Sequence, residues 1–419
     1  MSYGLNNGHS ALSRREPIVV TGVGLITSIG TGKEQFWQNL LAGHSGIGPV
    51  TAFSTENFPV HRGAQVKDFE AYVYVKQLHA GMIGRASELA IAASRLALED
   101  ANLFLADEGL EETGVAVGTT SGEPGVIERF DDLYVEGNLS RLGSDFISKY
   151  PCSVLAAHVA SELQLGGEVL TIPTACAAGN YALAHAADLL RLRRAKIMLA
   201  GGADSFSRIT YTGFARLGAI SSDLCRPFDR NRKGMIPGEG AAMLVLERRS
   251  DAIARGAQIY ATVAGYGLSC DAYHMTSASP QGDGAVRAME SALRASEISI
   301  EKVDYISAHG TGTATNDRLE TIAIKRVFKD FAYKIPVSSI KSMLGHAMGA
   351  ASAIEAVACV LAITNGRIPA TINLETPDPE CDLDYVANSS RERGVKVAMN
   401  NAYAFGGNNS CLIFKRCEA

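Results

Sequence analysis

Short runs of β-branched and aliphatic residues alternate along the chain with longer alanine-rich segments whose apolar positions recur every three or four residues. Uninterrupted apolar runs of strand length mark strands covered on both faces, and the longer periodic segments mark the helices that cover them. The pattern predicts strands at PIVVTGVG (17–24), TGVAVGTT (113–120), EVLTIPT (168–174), KIMLAGG (196–202) and AAMLVLE (241–247). Helices are predicted near 84–101, 177–194 and 284–296. Such alternation predicts an α/β protein.

The same menu is served twice. A strand with VTGVG leads to a helix ending ALEDANL, a strand with VGTTSG, a strand–Cys176–helix junction and a strand ending AGGADSF. Later, ATVAGYG (261–267) leads to a helix ending LRASEIS, then DYISAHGTGT, then strand–SSIKSMLGH–helix, then VAMNNAYAFGG (397–407). Five features recur in one order, which predicts two similar halves joined near ERRSDAIARGAQ (247–258). The expected division is a flexible terminus at 1–15, a half at 16–256 carrying a candidate nucleophile, and a half at 257–419 carrying two histidines and a lysine.

Composition narrows the function classes. A chain of 419 residues, 47% hydrophobic, has ample material for a large core. A net charge of −5 argues against a nucleic-acid binder, which needs a basic footprint. Eight cysteines without a CxxC pair point to reduced thiols rather than a disulfide framework, and to no metal site. The polar amino terminus has no signal-peptide core, and GAASAIEAVACVLAI (349–363) carries Glu355 and is too short to span a bilayer. A cytoplasmic protein with no membrane partner is expected.

TGVGLITSIG (21–30) invites a dinucleotide reading, but the third glycine of GxGxxG falls on Thr27, so a turn with close backbone packing is the better expectation. TIPTACAAGN (171–180) is more informative. Cys176 stands where a strand passes into a helix, the placement of a nucleophile elbow although GxSxG is absent. Unpaired N–H groups at a helix start favour a thiolate, so a lowered thiol pKa is expected. A buried, inert cysteine is the competing reading. His309 lies in SAHGTGTATND (307–317), a glycine- and hydroxyl-rich strand end suited to close approach of a ligand. His346 lies in SSIKSMLGHAMGAASAIEA (338–356), five residues after Lys341 and at the repeat counterpart of the Cys176 junction. NNAYAFGGNNS (400–410) reads as a hairpin turn, and as a loop whose backbone and Phe405 could edge a pocket.

These four stretches, TACAAG, AHGTGT, SIKSMLGHAMGA and AFGGNN, occur in an order and spacing that closely resemble the β-ketoacyl-[acyl carrier protein] synthases of the elongating, type II kind, within the thiolase superfamily. DAYHMTS (271–277) adds a fifth, and the resemblance covers residues 16–416. It implies a thiolase fold, five α-β-α-β-α layers built from two similar halves. It also implies a decarboxylative Claisen condensation with no bound cofactor, the phosphopantetheine arriving on an acyl carrier protein loaded with an acyl or a malonyl group. Cys176 would take the acyl group, and His309 and His346 would stabilise the enolate of the malonyl thioester. Lys341 would pair with Glu355 and order the site. The N–H groups of Cys176 and Phe405 would form an oxyanion hole. Thr311, Thr313 and Thr276 would hold substrate, with Phe214 and the gating Phe405 beside them.

Several positions depart from the housekeeping fatty-acid enzymes. Ala404 precedes Phe405 where glycine is usual, Asn408 replaces a threonine, and GMIPGEGAA (234–242) reads GEG for GDG. The chain passes from ARLGAISS to CRPFD without the usual insert, and no carrier-docking patch is recognisable at its usual places. The departures favour a specialised ketosynthase of a type II polyketide or polyene system, a homodimer or a heterodimer with a chain-length-factor-like subunit. A housekeeping β-ketoacyl synthase II is the alternative. More distant alternatives are a degradative thiolase and a non-catalytic chain-length-setting subunit.

Overall fold

The computed structural model describes residues 16–103, 112–143 and 145–417; the segment 1–15, expected to be flexible, lies outside them. Ten main strands carry the fold. The first five are β1 (Ile18–Thr27), β2 (Gly114–Gly118), β3 (Val169–Ile172), β4 (Ile197–Asp204) and β5 (Gly240–Arg248). The second five are β6 (Ala261–Cys270), β7 (Tyr305–Ser307), β8 (Val337–Ser338), β9 (Val397–Tyr403) and β10 (Asn408–Lys415).

The first five run in the spatial order β3-β2-β4-β5-β1 and the second five in the order β8-β7-β9-β10-β6, which is the same order by rank. Directions repeat too: β2 is parallel to β3 and β4, as β7 is to β8 and β9. The last two strands of each half close the ladder antiparallel. The two sets meet where Ile18, Val19 and Val20 of β1 pair with Val263, Thr262 and Ala261 of β6.

Helices fill three layers around these strands. Helices α1 (Arg85–Asp100) and α2 (Val154–Leu163) cover one outer face, packing Leu89, Ile91 and Val159 against Val115, Val117 and Val245. On the other outer face α5 (Asp283–Ser296) and α6 (Ala314–Phe328) set Met289 and Ile324 against Ile306 and Met399. Between the sheets lie α3 (Ala178–Arg191) and α7 (Ala351–Asn365), whose apolar residues share one core with strands from both halves. A short helix, α4 (Arg208–Arg216), follows β4. The layering is α-β-α-β-α, as the thiolase resemblance implies.

Burial explains two features of the sequence. All ten residues of β1 are buried, and its glycines serve helix contact: a Cβ on Gly22 would lie 2.3 Å from Ala97 O, and one on Gly24 2.1 Å from Ala93 O. TGVG is therefore strand interior under α1, where the sequence suggested a turn. Helix α7 is buried on every side and apolar but for Glu355 and a few small or terminal polar residues, because it lies inside the protein. Met348–Asn365 is long and apolar enough to cross a membrane, yet 89% of it is buried here, as befits a core helix.

Candidate active site

Cys176, His309 and His346 each sit where a strand gives way to a helix, whereas Phe405 lies at the corner between β9 and β10, Phe214 within α4 and Glu355 within α7. Cys176 lies in the 3-10 turn Ala175–Ala177 that feeds α3, and Ala175 before it adopts φ +50°. This left-handed residue makes the sharp corner that lifts the thiol out of the strand direction. His309 follows β7, and its peptide is held by Glu320 of α6, whose two carboxylate oxygens accept from His309 N and Gly310 N, each at 2.8 Å. His346 is gripped by GMIPGEG: its N–H donates to Ile236 O at 2.7 Å and its carbonyl accepts from Gly238 N at 2.8 Å.

The two imidazoles meet edge to face, ring centres 5.5 Å apart and planes at 82°. Met348 N–H donates to His346 Nδ1 at 3.1 Å, so that nitrogen is the acceptor and the ring hydrogen is on Nε2. Lys341 Nζ lies 3.5 Å from His309 Nδ1 and assigns the same tautomer there. Burial pushes both imidazoles well below the usual histidine range, and the Lys341 ammonium adds to the effect. Two neutral rings therefore stand close together, each with an N–H on the nitrogen away from its fixed partner.

Lys341 is itself buried and hydrogen-bonded to Glu355 of α7. Burial raises the Glu355 carboxyl and the ammonium opposes it. A buried pair of this kind is costly to break from one side, about 3–5 kcal/mol, because the surviving charge is left buried without its counter-ion.

Cys176 departs from expectation. Burial pushes its thiol up to about 12, against the lowering influence of Lys341 and of its own backbone N–H. The helix start is present, but desolvation outweighs it, so the resting group is a thiol rather than the expected thiolate.

One cavity of about 510 Å³ gathers the site. Its lining includes Cys176, His309, His346, Thr311, Thr313, Thr276, Phe214 and Phe405. Lys341 and Glu355 stand behind His309 and do not line it. Thr311 and Thr313 face each other with hydroxyl oxygens 2.9 Å apart. The Phe214 and Phe405 rings lie 5.7 Å apart at the entrance, with Phe405 exposed at the corner between β9 and β10. That corner turns on Gly406 and Gly407, with φ of +82° and +77°. It is tied to the DAYHMTS loop, since Asp271 N donates to Gly407 O at 2.9 Å and Gly406 N to Met275 O at 2.7 Å.

Three residues escaped the sequence reading. Glu320 sits 11 positions after His309 and acts only on its backbone. Tyr403 lines the cavity with its ring 5.7 Å from that of His309. Asp204 ends β4 in AGGADSF and binds the loop after β2. A carboxylate at a strand end (Asp204) and one on the helix after AHGTGT (Glu320) were the available signal, but nothing in the spacing shows whose amides they meet.

Comparison with known proteins gives a consistent answer. Residues 15–252 match the family described as "Beta-ketoacyl synthase, N-terminal domain", and residues 260–375 match its "C-terminal domain". The chain is 41% identical over 411 residues to 3-oxoacyl-[acyl-carrier-protein] synthase 2 of Synechocystis sp., spanning 96% of this chain and 99% of that protein. It is 41% identical over 402 residues to nodulation protein E of Rhizobium meliloti, spanning 95% and 99%. Among solved structures, the ishigamide ketosynthase/chain length factor matches with a TM-score of 0.93 and 43% identity, covering 96% of this chain and 100% of that one. A type II PKS acyl-carrier protein in complex with its ketosynthase bound to the hexaketide matches at 0.88 and 34%, covering 97% and 100%.

Proposed function

The chain belongs to the β-ketoacyl synthase family, and from that premise we propose that it condenses an acyl group carried on Cys176 with malonyl-[acyl carrier protein], releasing carbon dioxide and a β-ketoacyl-[acyl carrier protein]. The observation that carries this reading is the pair of neutral imidazoles, each with its hydrogen on Nε2, on the cavity that holds Cys176.

In the first step Cys176 Sγ attacks the acyl thioester on the carrier's phosphopantetheine. The new S–C bond forms, the pantetheine sulfur leaves, and the thiol proton passes to that sulfur. In the second step the malonyl thioester loses carbon dioxide, and the electron pair of the broken C–C bond passes into an enolate. Charge gathers on the thioester oxygen, where the Nε2–H groups of His309 and His346 donate to it. Donors aimed in advance at developing charge in a dry site are the largest single source of such acceleration. The enolate carbon attacks the Cys176 thioester, the C–S bond breaks, and a proton from solvent restores the thiol.

The high thiol pKa fits this order of events. A thiol that stays protonated until a thioester is at hand spends little time as an oxidisable thiolate. The N–H groups of Cys176 and Phe405 serve as the oxyanion hole of the acyl-transfer step. Thr311, Thr313 and Thr276 hold the pantetheine arm, and Phe405 with Phe214 gates it. No resident cofactor is required, because the pantetheine comes on the carrier. The place of action is the cytoplasm.

A specialised polyketide or polyene ketosynthase, in a dimer with a second copy or with a chain-length-factor-like subunit, is supported by the departures at Ala404 and Asn408. The likeness to the ishigamide ketosynthase supports it as well. The housekeeping synthase II reading draws on the relative from Synechocystis. Incubating the purified chain with acyl and malonyl carrier proteins, alone and with a candidate partner subunit, tests both. The expected result is an acyl label on Cys176 and release of carbon dioxide. Failure of both, with and without partner, overturns the proposal. A product longer than a fatty acid step, formed only with the partner, selects the specialised reading.

A further inference from the structure

Asp204 closes β4 at the level of the site and has no role in the steps above. It is 1% exposed, and among the described residues no Lys, Arg or His forms an ion pair with it. Its carboxylate instead accepts four hydrogen bonds. Oδ1 takes Thr119 Oγ1 at 2.8 Å and Ser121 N at 3.1 Å; Oδ2 takes Thr120 N at 2.8 Å and Gly349 N at 2.6 Å. Three of these donors belong to the loop after β2, in the half that carries Cys176. The fourth belongs to the turn Met348–Ala350, in the half that carries the histidines.

That turn also supplies Met348 N–H, the donor to His346 Nδ1. Its fit against the first half is tight: a Cβ on Gly349 would lie 2.6 Å from Thr119 Cα, and one on Gly202 would lie 2.6 Å from Gly349 O. One buried carboxylate therefore clasps both halves one residue from the peptide that sets an imidazole tautomer.

We propose that Asp204 is a positioning residue for the condensation: by holding Gly349 N–H it fixes the Met348–Ala350 turn, and through Met348 N–H the Nε2–H form of His346, against the half bearing Cys176. This deepens the ketosynthase reading and rests on it. The same negative charge acts on the thiol, raising its pKa together with burial. Burial pushes the Asp204 carboxyl itself up to about 6, its four donors opposing, so it is charged at neutral pH.

The two influences have opposite signs in one variant. Asp204→Asn keeps the shape, loses the charge and turns an acceptor into a donor facing backbone N–H groups. In the full-length protein, carbon dioxide release from malonyl carrier protein in the presence of acyl carrier protein is expected to fall on the order of 100-fold, the cost of a misplaced catalytic group. Alkylation of Cys176 by iodoacetamide at pH 8 is expected to quicken about three- to tenfold, because a lost neighbouring anion favours the thiolate. A merely structural role would loosen the site and quicken alkylation as well; it is set apart by Thr119→Val, in which carbon dioxide release falls with alkylation unchanged. Unchanged carbon dioxide release, or slower alkylation, overturns the proposal.

Should Asp204→Asn not give a folded protein, Thr119→Val removes one donor and leaves the charge. It is expected to lower carbon dioxide release about fivefold, the worth of one hydrogen bond, with alkylation unchanged. Wild-type release in Thr119→Val then overturns the inference. A wild type that releases no carbon dioxide overturns the ketosynthase reading itself, which separates the two failures.

Discussion

Two helix starts face each other in the middle layer, and they are built alike. Ala175–Ala177 and Met348–Ala350 are each a 3-10 turn opened by a left-handed residue, with φ of +50° at Ala175 and +51° at Met348. Each feeds a helix lying between the two sheets, and the helices touch through Asn180 N and Ser352 Oγ at 3.1 Å. By position the counterpart of Cys176 is Gly349, three residues beyond the histidine that the repeat had matched to it. One copy of the junction presents a thiol to the cavity. The other has no side chain there, comes within contact of Thr119, and gives its N–H groups to Asp204 and His346. On the proposed reading, a duplicated corner serves once for a nucleophile and once for orientation.

The broadest way to break this comparison is to remove the thiol. Cys176→Ala should lower condensation on the order of 10⁶-fold, the scale seen when a covalent nucleophile is deleted, and abolish the acyl label. Denaturant midpoint should change little, because the alanine fills the same small-residue corner. Activity within tenfold of wild type would mean that the two corners are equivalent and that neither carries a covalent intermediate.

The thiol's resting state gives the next effect. With burial holding the pKa near 12, iodoacetamide alkylation of Cys176 should rise about tenfold per pH unit from pH 7 to pH 10, tracking the thiolate fraction. A plateau below pH 8 would show that the helix start dominates after all. The imidazoles should respond differently. His309→Ala and His346→Ala are each expected to cost roughly 10²- to 10³-fold in carbon dioxide release, while labelling of Cys176 by acyl carrier protein persists. Loss of labelling in either variant would place that histidine in acyl transfer instead.

What was legible in the sequence follows from where the information lies. Cys176, His309 and His346 were legible because strand-to-helix junctions show as a change of period, and each carries a reactive side chain. Two similar α/β halves were legible through five features repeated in order, and the α-β-α-β-α layering came from the resemblance that the four motifs carry, not from the repeat itself. Glu320 and Asp204 were not, since each acts on amides brought from elsewhere in the chain: Asp204 reaches 85 residues back to Thr119 and 145 forward to Gly349. The sign of the Cys176 pKa was lost for the same reason. A helix start is local and readable, whereas the burial that outweighs it is made by residues of both halves. TGVG was misplaced at a strand end because glycines also serve where a helix crosses a strand closely.

The glycine of the second corner provides a smaller, structural test. Gly349→Ala puts a methyl 2.6 Å from Thr119 Cα and C, where backbone must move. Overpacking of this kind costs about 1–3 kcal/mol, readable as a lowered urea midpoint with unchanged slope. A variant as stable as wild type would show that the two halves are less tightly joined at this turn than their geometry requires.

The smallest effect is the most discriminating about the corner itself. Ala175 holds φ +50°, a conformation that costs an L-residue roughly 1–2 kcal/mol. Ala175→Gly removes that cost, and the looser unfolded chain returns about 0.5–1 kcal/mol of it. The net change should be a gain of about 0–1.5 kcal/mol, against the destabilisation usual for glycine in place of alanine. A loss above about 2 kcal/mol would mean that the methyl is a packing element and that the corner is shaped by its neighbours. A neutral or slightly stabilised protein would mean that strain at Ala175 is tolerated for the direction it gives the next residue, Cys176.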